Sequence, residues 1–222
     1  MTAFFTGKGD GGTTKLFDSP KGQRVSKSSP IFETLGMLDE LNTLTGWCRA
    51  EAQNNPVYGV AGPLHRIRRM FNTPHASLSP RLVSGDDFAA SDDIRSIDIG
   101  KILLDVQDHL FTLQAEVAGA PESIAQESVD AMNMLINGIE KSLPEVKTFL
   151  VPGGTEFSAR LDIARAVSRR VERRLVQLHE SGERVISDTS RAYANRLSSL
   201  FYALVRLENH RAGISERPPQ YL

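Results

Sequence analysis

The chain has 222 residues, of which 40% are hydrophobic and 24% are charged. These values suit one domain with a buried core and exclude a disordered chain. The net charge of -1 excludes a general attraction to nucleic acid or to an anionic membrane. The single cysteine, Cys48, excludes an internal disulfide and fits a reducing, cytoplasmic setting. We expect no signal peptide, because glycine-rich sequence begins soon after Met1, and no membrane span, because long apolar runs are lacking.

Residues 1–30 are rich in Gly, Ser, Thr and Lys, lack a helical period and predict an N-terminal arm. Gly7, Gly9 and Gly12 have the spacing of the dinucleotide motif G-x-G-x-x-G, but no predicted strand precedes them. The same glycines have P-loop spacing, but Thr13 stands where that motif requires lysine. Glycines still allow backbone N–H groups to point at an anion, with further donors from Lys8, Thr13, Thr14 and Lys15. A flexible tail is the alternative.

Apolar residues at helical spacing predict five helices, over 31–53, 97–118, 123–143, 155–180 and 188–210. Prolines and glycines interrupt residues 54–96, which we interpret as a mobile insertion. No strand pattern competes with the helices. We therefore predict an all-α protein, a five-helix bundle with ferritin-like up-down packing and a glycine-rich N-terminal arm, forming one domain over 1–222. Core packing is our interpretation of Trp47, Cys48, Phe111 and Phe201.

One face of the predicted helix 155–180 mixes charged with aliphatic side chains. At about 100° per residue, this face carries Leu161, Arg165, Ser168, Arg169, Glu172 and Val176. A separate face carries Ala164, Val167, Val171, Leu175 and Leu178, which predicts an ordinary core stripe. Periodicity alone favours a solvated charged face with ion pairs three and four residues apart. A binding face is the alternative.

Four segments stand in a fixed order along the chain: GKGDGGTT at 7–14 with RVSK at 24–27, GMLDELN at 36–42, FLVPGG at 149–154, and ARAVSRRVERR at 164–174 with NRLS at 195–198. In order and spacing they resemble the PduO-type ATP:cob(I)alamin adenosyltransferases, and the resemblance covers most of the chain outside 54–96. It implies a five-helix bundle that assembles as a homotrimer with active sites between neighbouring subunits.

The resemblance also implies the roles of individual residues. Asp39 would pair with Arg165 at the floor of the corrinoid site, and Phe149 would displace the lower axial ligand of cobalt. The residues expected to line the phosphates of ATP are Thr6, Gly7, Lys8, Gly9, Thr14, Lys15 and Lys27. The residues expected to contact triphosphate, ribose and adenine are Arg169, Arg170, Glu172, Arg173 and Asn195.

The reaction that the resemblance implies is transfer of the 5′-deoxyadenosyl group of ATP to cob(I)alamin, which forms adenosylcobalamin and releases triphosphate. Cobalt supplies the nucleophile, so no serine, cysteine or base dyad is needed. We expect Mg²⁺ to accompany ATP, a flavin-dependent reductase to supply the electron, and a cobalamin-dependent enzyme to accept the product. The five histidines lack metal-ligand spacing, so we expect no metal centre in the protein.

This sequence departs from the family pattern at three places. Lys8 replaces a threonine, Ser28 and Ser29 replace an acidic pair, and Asp162 replaces a histidine and would compete with Asp39 for Arg165.

A non-catalytic ATP- or cobalamin-binding bundle, acting as a sensor or delivery module, is the alternative function. A helical nucleic-acid binder is disfavoured by Glu172 within the basic cluster and by the neutral overall charge.

Overall fold

A computed structural model describes residues 5–54 and 97–220 of the chain. This part contains five α-helices, which are α1 (Pro30–Asn54), α2 (Ile99–Val117), α3 (Gln126–Lys141), α4 (Glu156–Glu180) and α5 (Asp188–Arg211). The predicted all-α five-helix bundle is thereby confirmed. The predicted insertion 54–96 lies outside the described residues, except for the backbone of Asn54.

Side-chain caps explain the observed starts of α2 and α4, which lie one or two residues after the predicted starts. Asp98 accepts a hydrogen bond from the Lys101 N–H at 2.9 Å, so α2 begins after Asp98 and not at Ile97. Thr155 is the N-cap of α4. Its Oγ1 accepts the Ser158 N–H at 3.0 Å, and Ser158 Oγ accepts the Thr155 N–H at 2.9 Å.

The sequence shows no strand pattern, but the arm contains one pair of short strands. Strand β1 (Thr13–Thr14) pairs antiparallel with β2 (Val25–Ser26), with Thr13 opposite Ser26. Two-residue strands are too short to show the alternation of polar and apolar side chains by which strands are predicted. The consequence is that the middle of the arm is held against the segment that leads into α1.

Each helix contributes fully buried apolar side chains to one core, including Leu38, Leu103, Met132, Val171 and Phe201. Helix α4 packs against α1 on one flank and α5 on the other, while α2 covers α1 and α3 covers α5. Helix α4 is therefore the central element of the bundle.

Two of the four side chains that we assigned to core packing are buried and two are not. Cys48 and Phe201 lie in the core, whereas Trp47 is 51% exposed and Phe111 is 62% exposed. The guanidinium carbon of Arg160 lies 4.7 Å from the Trp47 ring centroid, an arrangement that keeps the indole at the surface. Trp47 lies about 100° around the helix from its buried neighbour Cys48, at the edge of the core stripe, where periodicity alone does not decide whether a side chain is covered.

Asp105 on α2 is a partly buried carboxyl whose Oδ2 has no hydrogen-bond partner among the described residues. Burial raises its pKa from the usual 3.8 to about 6; Asp108 and Asp98 add to the rise and Lys101 opposes it. Because the folded pKa exceeds the unfolded one, this group costs stability as the pH rises from about 4 through 6.

We expect Asp105→Asn to raise the free energy of unfolding at pH 8 by about 1–2 kcal/mol, reduced from the full shift because the carboxyl is only partly buried. The gain should be smaller at pH 4, where the carboxyl is largely protonated in the folded state and partly protonated in the unfolded state. Urea denaturation from pH 4 to pH 8 measures this. An equal difference at both ends of the range would contradict the assignment.

Candidate functional site

Arg24 connects the two sides of the N-terminal arm. Its Nε donates to Thr13 Oγ1 at 2.8 Å, and its Nη2 donates to the carbonyl oxygens of Lys8 at 2.7 Å and Thr13 at 2.5 Å. Charge-assisted hydrogen bonds of this kind are stronger than neutral ones. The sequence interpretation named Arg24 only as part of the RVSK segment and gave it no role.

The glycine-rich loop of the arm folds into two consecutive turns. The Asp10 N–H donates to the Gly7 carbonyl at 3.2 Å, and the Gly12 N–H donates to the Gly9 carbonyl at 3.1 Å. Gly7 and Gly12 have φ of 67° and 73°, a region that other residues rarely adopt. The Lys27 Nζ lies against Gly9, within 2.9 Å of where a Cβ would stand. Two of the predicted phosphate residues, Gly9 and Lys27, are therefore adjacent.

The three lysines predicted to bind phosphate, Lys8, Lys15 and Lys27, all have exposed side chains. Thr6 is also exposed, and its Oγ1 accepts the Lys8 N–H at 3.5 Å. Thr14 is partly buried in β1. The arm thus carries three exposed ammonium groups, of which that of Lys27 lies against the glycine-rich loop.

The arm is attached to the end of the bundle where α2 and α4 finish. The Phe17 N–H donates to the Ala118 carbonyl at 2.9 Å. Arg184 Nη1 lies 2.5 Å from Asp18 Oδ2, and this hydrogen bond lowers the pKa of the Asp18 carboxyl. Within residues 5–54 and 97–220, no hydrogen bond or ion pair joins the glycine loop to Arg165 or Arg169.

A cavity of about 800 Å³ lies nearer the opposite end of the bundle. Arg165 and Arg169 of α4 line it, together with Tyr202 of α5 and the 149–154 loop that carries Phe149. Phe149 is 80% exposed, whereas a large aromatic side chain of a folded protein is usually well covered. The structure therefore brings together three of the predicted site residues, Phe149, Arg165 and Arg169. We name this space the Phe149 cavity.

The N–H and the carbonyl of Gly153 are both hydrogen-bonded, and these two contacts hold the 149–154 loop in place. The Gly153 N–H donates to Asp162 Oδ2 at 3.0 Å, and the Gly153 carbonyl accepts from Asn209 Nδ2 at 3.1 Å. Gly154 has φ of 146°, and a Cβ there would stand 2.2 Å from Asn209 Oδ1. The sequence interpretation did not include Asn209 or Tyr202 in the site, although Tyr202 follows Asn195 and Ser199 on one face of the last helix.

The expected pairing of Asp39 with Arg165 does not occur within one chain. Arg165 Nε instead donates to Asp162 Oδ1 at 2.9 Å, because Asp162 lies one turn earlier on the same helix. The ion pairs Arg170–Glu40 at 3.1 Å and Arg160–Glu51 at 2.8 Å show that α1 and α4 are antiparallel. They set Asp39 level with residues 171–172, about 9 Å along the axis from Arg165 at 1.5 Å per residue.

The remaining predicted nucleotide residues of α4 point in different directions. Arg170 and Arg173 line a second cavity, of about 600 Å³, against Glu40 and Met37 of α1. Glu172 faces α5, where its Oε1 accepts a hydrogen bond from Asn195 Nδ2 at 2.5 Å. A third cavity, of about 340 Å³, adjoins that pair. Adjacent residues of a helix diverge by about 100°, so within one chain these side chains line separate cavities.

The assignment of Leu161 and Ser168 to the charged face of α4 is wrong. Both side chains are buried, and Ser168 Oγ donates to the Arg165 carbonyl at 2.8 Å. Helix α4 has two packed flanks, so its buried surface is wider than the single stripe that we predicted.

Two further observations concern membranes and metals. None of the helices in the described ranges is long and apolar enough to cross a membrane. In the same ranges, no group of three His, Cys, Asp or Glu side chains is arranged to hold a metal ion.

Comparison with known sequences identifies the family. The sequence model of the cobalamin adenosyltransferase family matches residues 4–208, so the chain belongs to that family. A corrinoid adenosyltransferase PduO of Citrobacter freundii is 34% identical over 217 residues, which cover 95% of this chain and 51% of that protein. A corrinoid adenosyltransferase of Bacillus subtilis is 31% identical over 216 residues, which cover 96% of this chain and 89% of the relative. The chain thus spans about half the length of the first relative and most of the second.

Solved structures share the fold. A variant PduO-type ATP:corrinoid adenosyltransferase from Lactobacillus reuteri, complexed with cobalamin and ATP, has a TM-score of 0.74 at 22% identity and covers 99% of this chain and 100% of its own. A second variant from the same organism, complexed with ATP, has a TM-score of 0.72 at 23% identity and covers 98% of this chain and 100% of its own. These likenesses show a common helical fold.

The two glycines that end the 149–154 loop offer a matched test of its packing. We expect Gly154→Ala to lower the free energy of unfolding by about 2–4 kcal/mol, because the new Cβ meets Asn209 and the backbone φ is strained. Gly153→Ala should cost only about 1 kcal/mol, because its φ of 103° is unfavourable but no atom lies within 4 Å of its Cβ. Urea denaturation measures both values. Equal losses would mean that Asn209 does not hold the loop.

Proposed function

We propose that the chain transfers the 5′-deoxyadenosyl group of ATP to cob(I)alamin and releases triphosphate. The observation that carries the proposal is the Phe149 cavity, where an exposed aromatic ring on a fixed loop shares a space with two arginines of α4. Membership of the cobalamin adenosyltransferase family and the names of the relatives support the same reaction.

Phe149 is proposed to act on the lower face of the corrinoid. An apolar ring pressed against cobalt would take the place of the lower axial ligand and exclude water. Loss of that ligand makes cob(II)alamin easier to reduce, and a flavin-dependent reductase is the proposed electron donor. The fixed backbone around Gly153 supports this role, because a displacing ring has to resist being pushed back.

ATP is proposed to bind between the arm and the arginines of α4. The exposed cations of the arm and the guanidinium groups of Arg169, Arg170 and Arg173 suit the charge that gathers on the leaving triphosphate. Holding ATP in line with cobalt can supply about 7–11 kcal/mol of the barrier reduction. Glu172 and Asn195, already hydrogen-bonded to each other, would meet ribose and adenine. Mg²⁺ would bind together with the phosphates of ATP.

The separation of these parts within one chain favours a site built from two subunits. The arm is attached near Arg184, at the end of the bundle away from the Phe149 cavity, and Asp39 lies about 9 Å along α4 from Arg165. In the proposed homotrimer, the arm of one subunit would approach the α4 arginines of its neighbour, and Asp39 of one subunit would pair with Arg165 of the other.

We also propose that the protein is cytoplasmic and that it hands its product to a cobalamin-dependent enzyme.

The function itself is tested by mixing the chain with ATP and chemically reduced cobalamin and recording the visible spectrum. A light-sensitive cobalt–carbon product, together with release of triphosphate, is expected. Binding of both ATP and cobalamin without product would contradict the enzymatic proposal and favour the non-catalytic sensor or delivery module.

Phe149→Ala should lower the rate from cob(II)alamin by at least about tenfold, equivalent to 1.4 kcal/mol in the barrier, while the rate from pre-reduced cob(I)alamin changes much less. The reason is that only the cob(II)alamin reaction needs the ligand displaced before reduction. Phe111→Ala is the matched control, since it removes another exposed phenylalanine outside the cavity and should leave the ratio of the two rates unchanged. Equal loss of both rates in Phe149→Ala would remove the proposed role.

A charge exchange tests the pairing of Asp39 with Arg165 across subunits. Arg165→Asp alone should raise the cobalamin requirement, and Asp39→Arg combined with it should recover part of the loss because opposite charges again face each other. Glu40→Arg with Arg165→Asp is the control, because Glu40 already pairs with Arg170 in its own chain. Steady-state kinetics with varied cobalamin measures the recovery. Recovery in neither double variant, or in both, would show that the specific pair is not formed.

A further inference from the structure

Asp162 uses both oxygens of its carboxylate in the Phe149 cavity. Oδ2 accepts the Gly153 N–H at 3.0 Å, and Oδ1 accepts Arg165 Nε at 2.9 Å. Its side chain is only 10% exposed, and a buried carboxylate is tolerated where charged and polar partners surround it. One side chain therefore joins the 149–154 loop to the guanidinium group that shares its cavity.

The loop is fixed at three points between Val151 and Gly153. The Val151 N–H donates to the Arg217 carbonyl at 3.0 Å, and the two sides of Gly153 are held by Asp162 and Asn209. Of these contacts, only that with Asp162 comes from α4, the helix that carries the cavity arginines. The position of Phe149 relative to those arginines thus depends on this carboxylate.

The hydrogen bond from Arg165 leaves most of its guanidinium available. Asp162 takes Nε, whereas Nη1 and Nη2 have no hydrogen-bond partner among residues 5–54 and 97–220. A planar guanidinium can bind a second carboxylate or a carbonyl through those two groups while Nε stays occupied. We expected Asp162 to compete with Asp39 for Arg165. The geometry instead allows Arg165 to bind Asp162 through Nε and a second partner through Nη1 and Nη2.

We infer that Asp162 is a positioning residue that holds the 149–154 loop and the Arg165 guanidinium in one fixed arrangement in the Phe149 cavity. Its effect on catalysis rests on the proposed function. Asp162 acts through Phe149 and Arg165 and need not touch the reacting atoms. Loss of Asp162 should therefore slow the reaction from cob(II)alamin, which depends on Phe149, more than the reaction from pre-reduced cob(I)alamin.

The test compares Asp162→Asn and Asp162→Ala with the control Glu156→Gln. Glu156 is also a carboxylate near the start of α4 that pairs with an arginine, Arg160, but its side chain is 79% exposed and lies outside the cavity. Asparagine keeps the shape of aspartate, but its single oxygen cannot serve both donors equally and its charge is gone. Thermal unfolding and circular dichroism show that each variant is folded.

The expected kinetic result is a fall of about tenfold in the ratio of the cob(II)alamin rate to the cob(I)alamin rate for Asp162→Asn, and a larger fall for Asp162→Ala. Glu156→Gln should keep the wild-type ratio. An unchanged ratio in the folded Asp162 variants overturns the inference. A parallel fall of both rates that follows the loss of thermal stability also overturns it, because that is the result of a purely structural role.

Hydrogen exchange gives a readout that needs no turnover. In the wild type the Gly153 amide should be protected, and in Asp162→Ala residues 149–154 should exchange about tenfold faster or more, with no change in Glu156→Gln. Rapid exchange of Gly153 in the wild type overturns the inference. If the wild type forms no adenosylcobalamin, the proposed function fails, while the exchange result still decides whether Asp162 holds the loop.

Discussion

The burial of α4 between α1 and α5 is the constraint on which the rest of the structure depends. A helix packed on both flanks has a wide apolar surface, and Val171 and Leu175 are fully covered. Its charged residues then lie at the edges of the two contacts or on the exposed surface of the helix. Arg170 reaches Glu40 of α1 on one side, and Glu172 reaches Asn195 of α5 on the other. The clustered arginines of the sequence thereby become separate sites.

The start of α4 fixes the geometry of the candidate site. The capping box at Thr155 and Ser158 fixes where the helix begins, and Asp162 fixes the preceding loop to the first turns. Phe149 is then left in a cavity that it does not fill, beside cations that have capacity for further partners. Apolar contact and positive charge in one space suit a large ligand that has a flat face and a polar edge.

Much of this architecture could be predicted from the sequence, because it follows from patterns with a period of 3.6 residues. The five helices and the Thr155 cap follow from such patterns and from local capping chemistry. The two-residue strands were missed because they depend on the long-range contacts of Arg24. The exposure of Trp47 and Phe111 was missed because a helical wheel does not show which flanks of a helix are covered.

The candidate site was predictable in part. The proximity of Phe149, Arg165 and Arg169 followed from motif resemblance and appears in the fold. The partner of Arg165 within the chain could not be predicted, because Asp39 and Asp162 were both candidates. The antiparallel pairing of α1 and α4 decides between them. Nor could the sequence place Asn209 against Gly154, since that contact joins the loop before α4 to the end of α5.

The central claim is that the Phe149 ring occupies the lower axial position of a corrinoid bound in this cavity. Electron paramagnetic resonance of cob(II)alamin bound to the chain with ATP tests it most directly. The account predicts loss of the hyperfine splitting from the lower nitrogen ligand, with no water in its place. Retention of that splitting in the ATP-bound wild type would contradict the account.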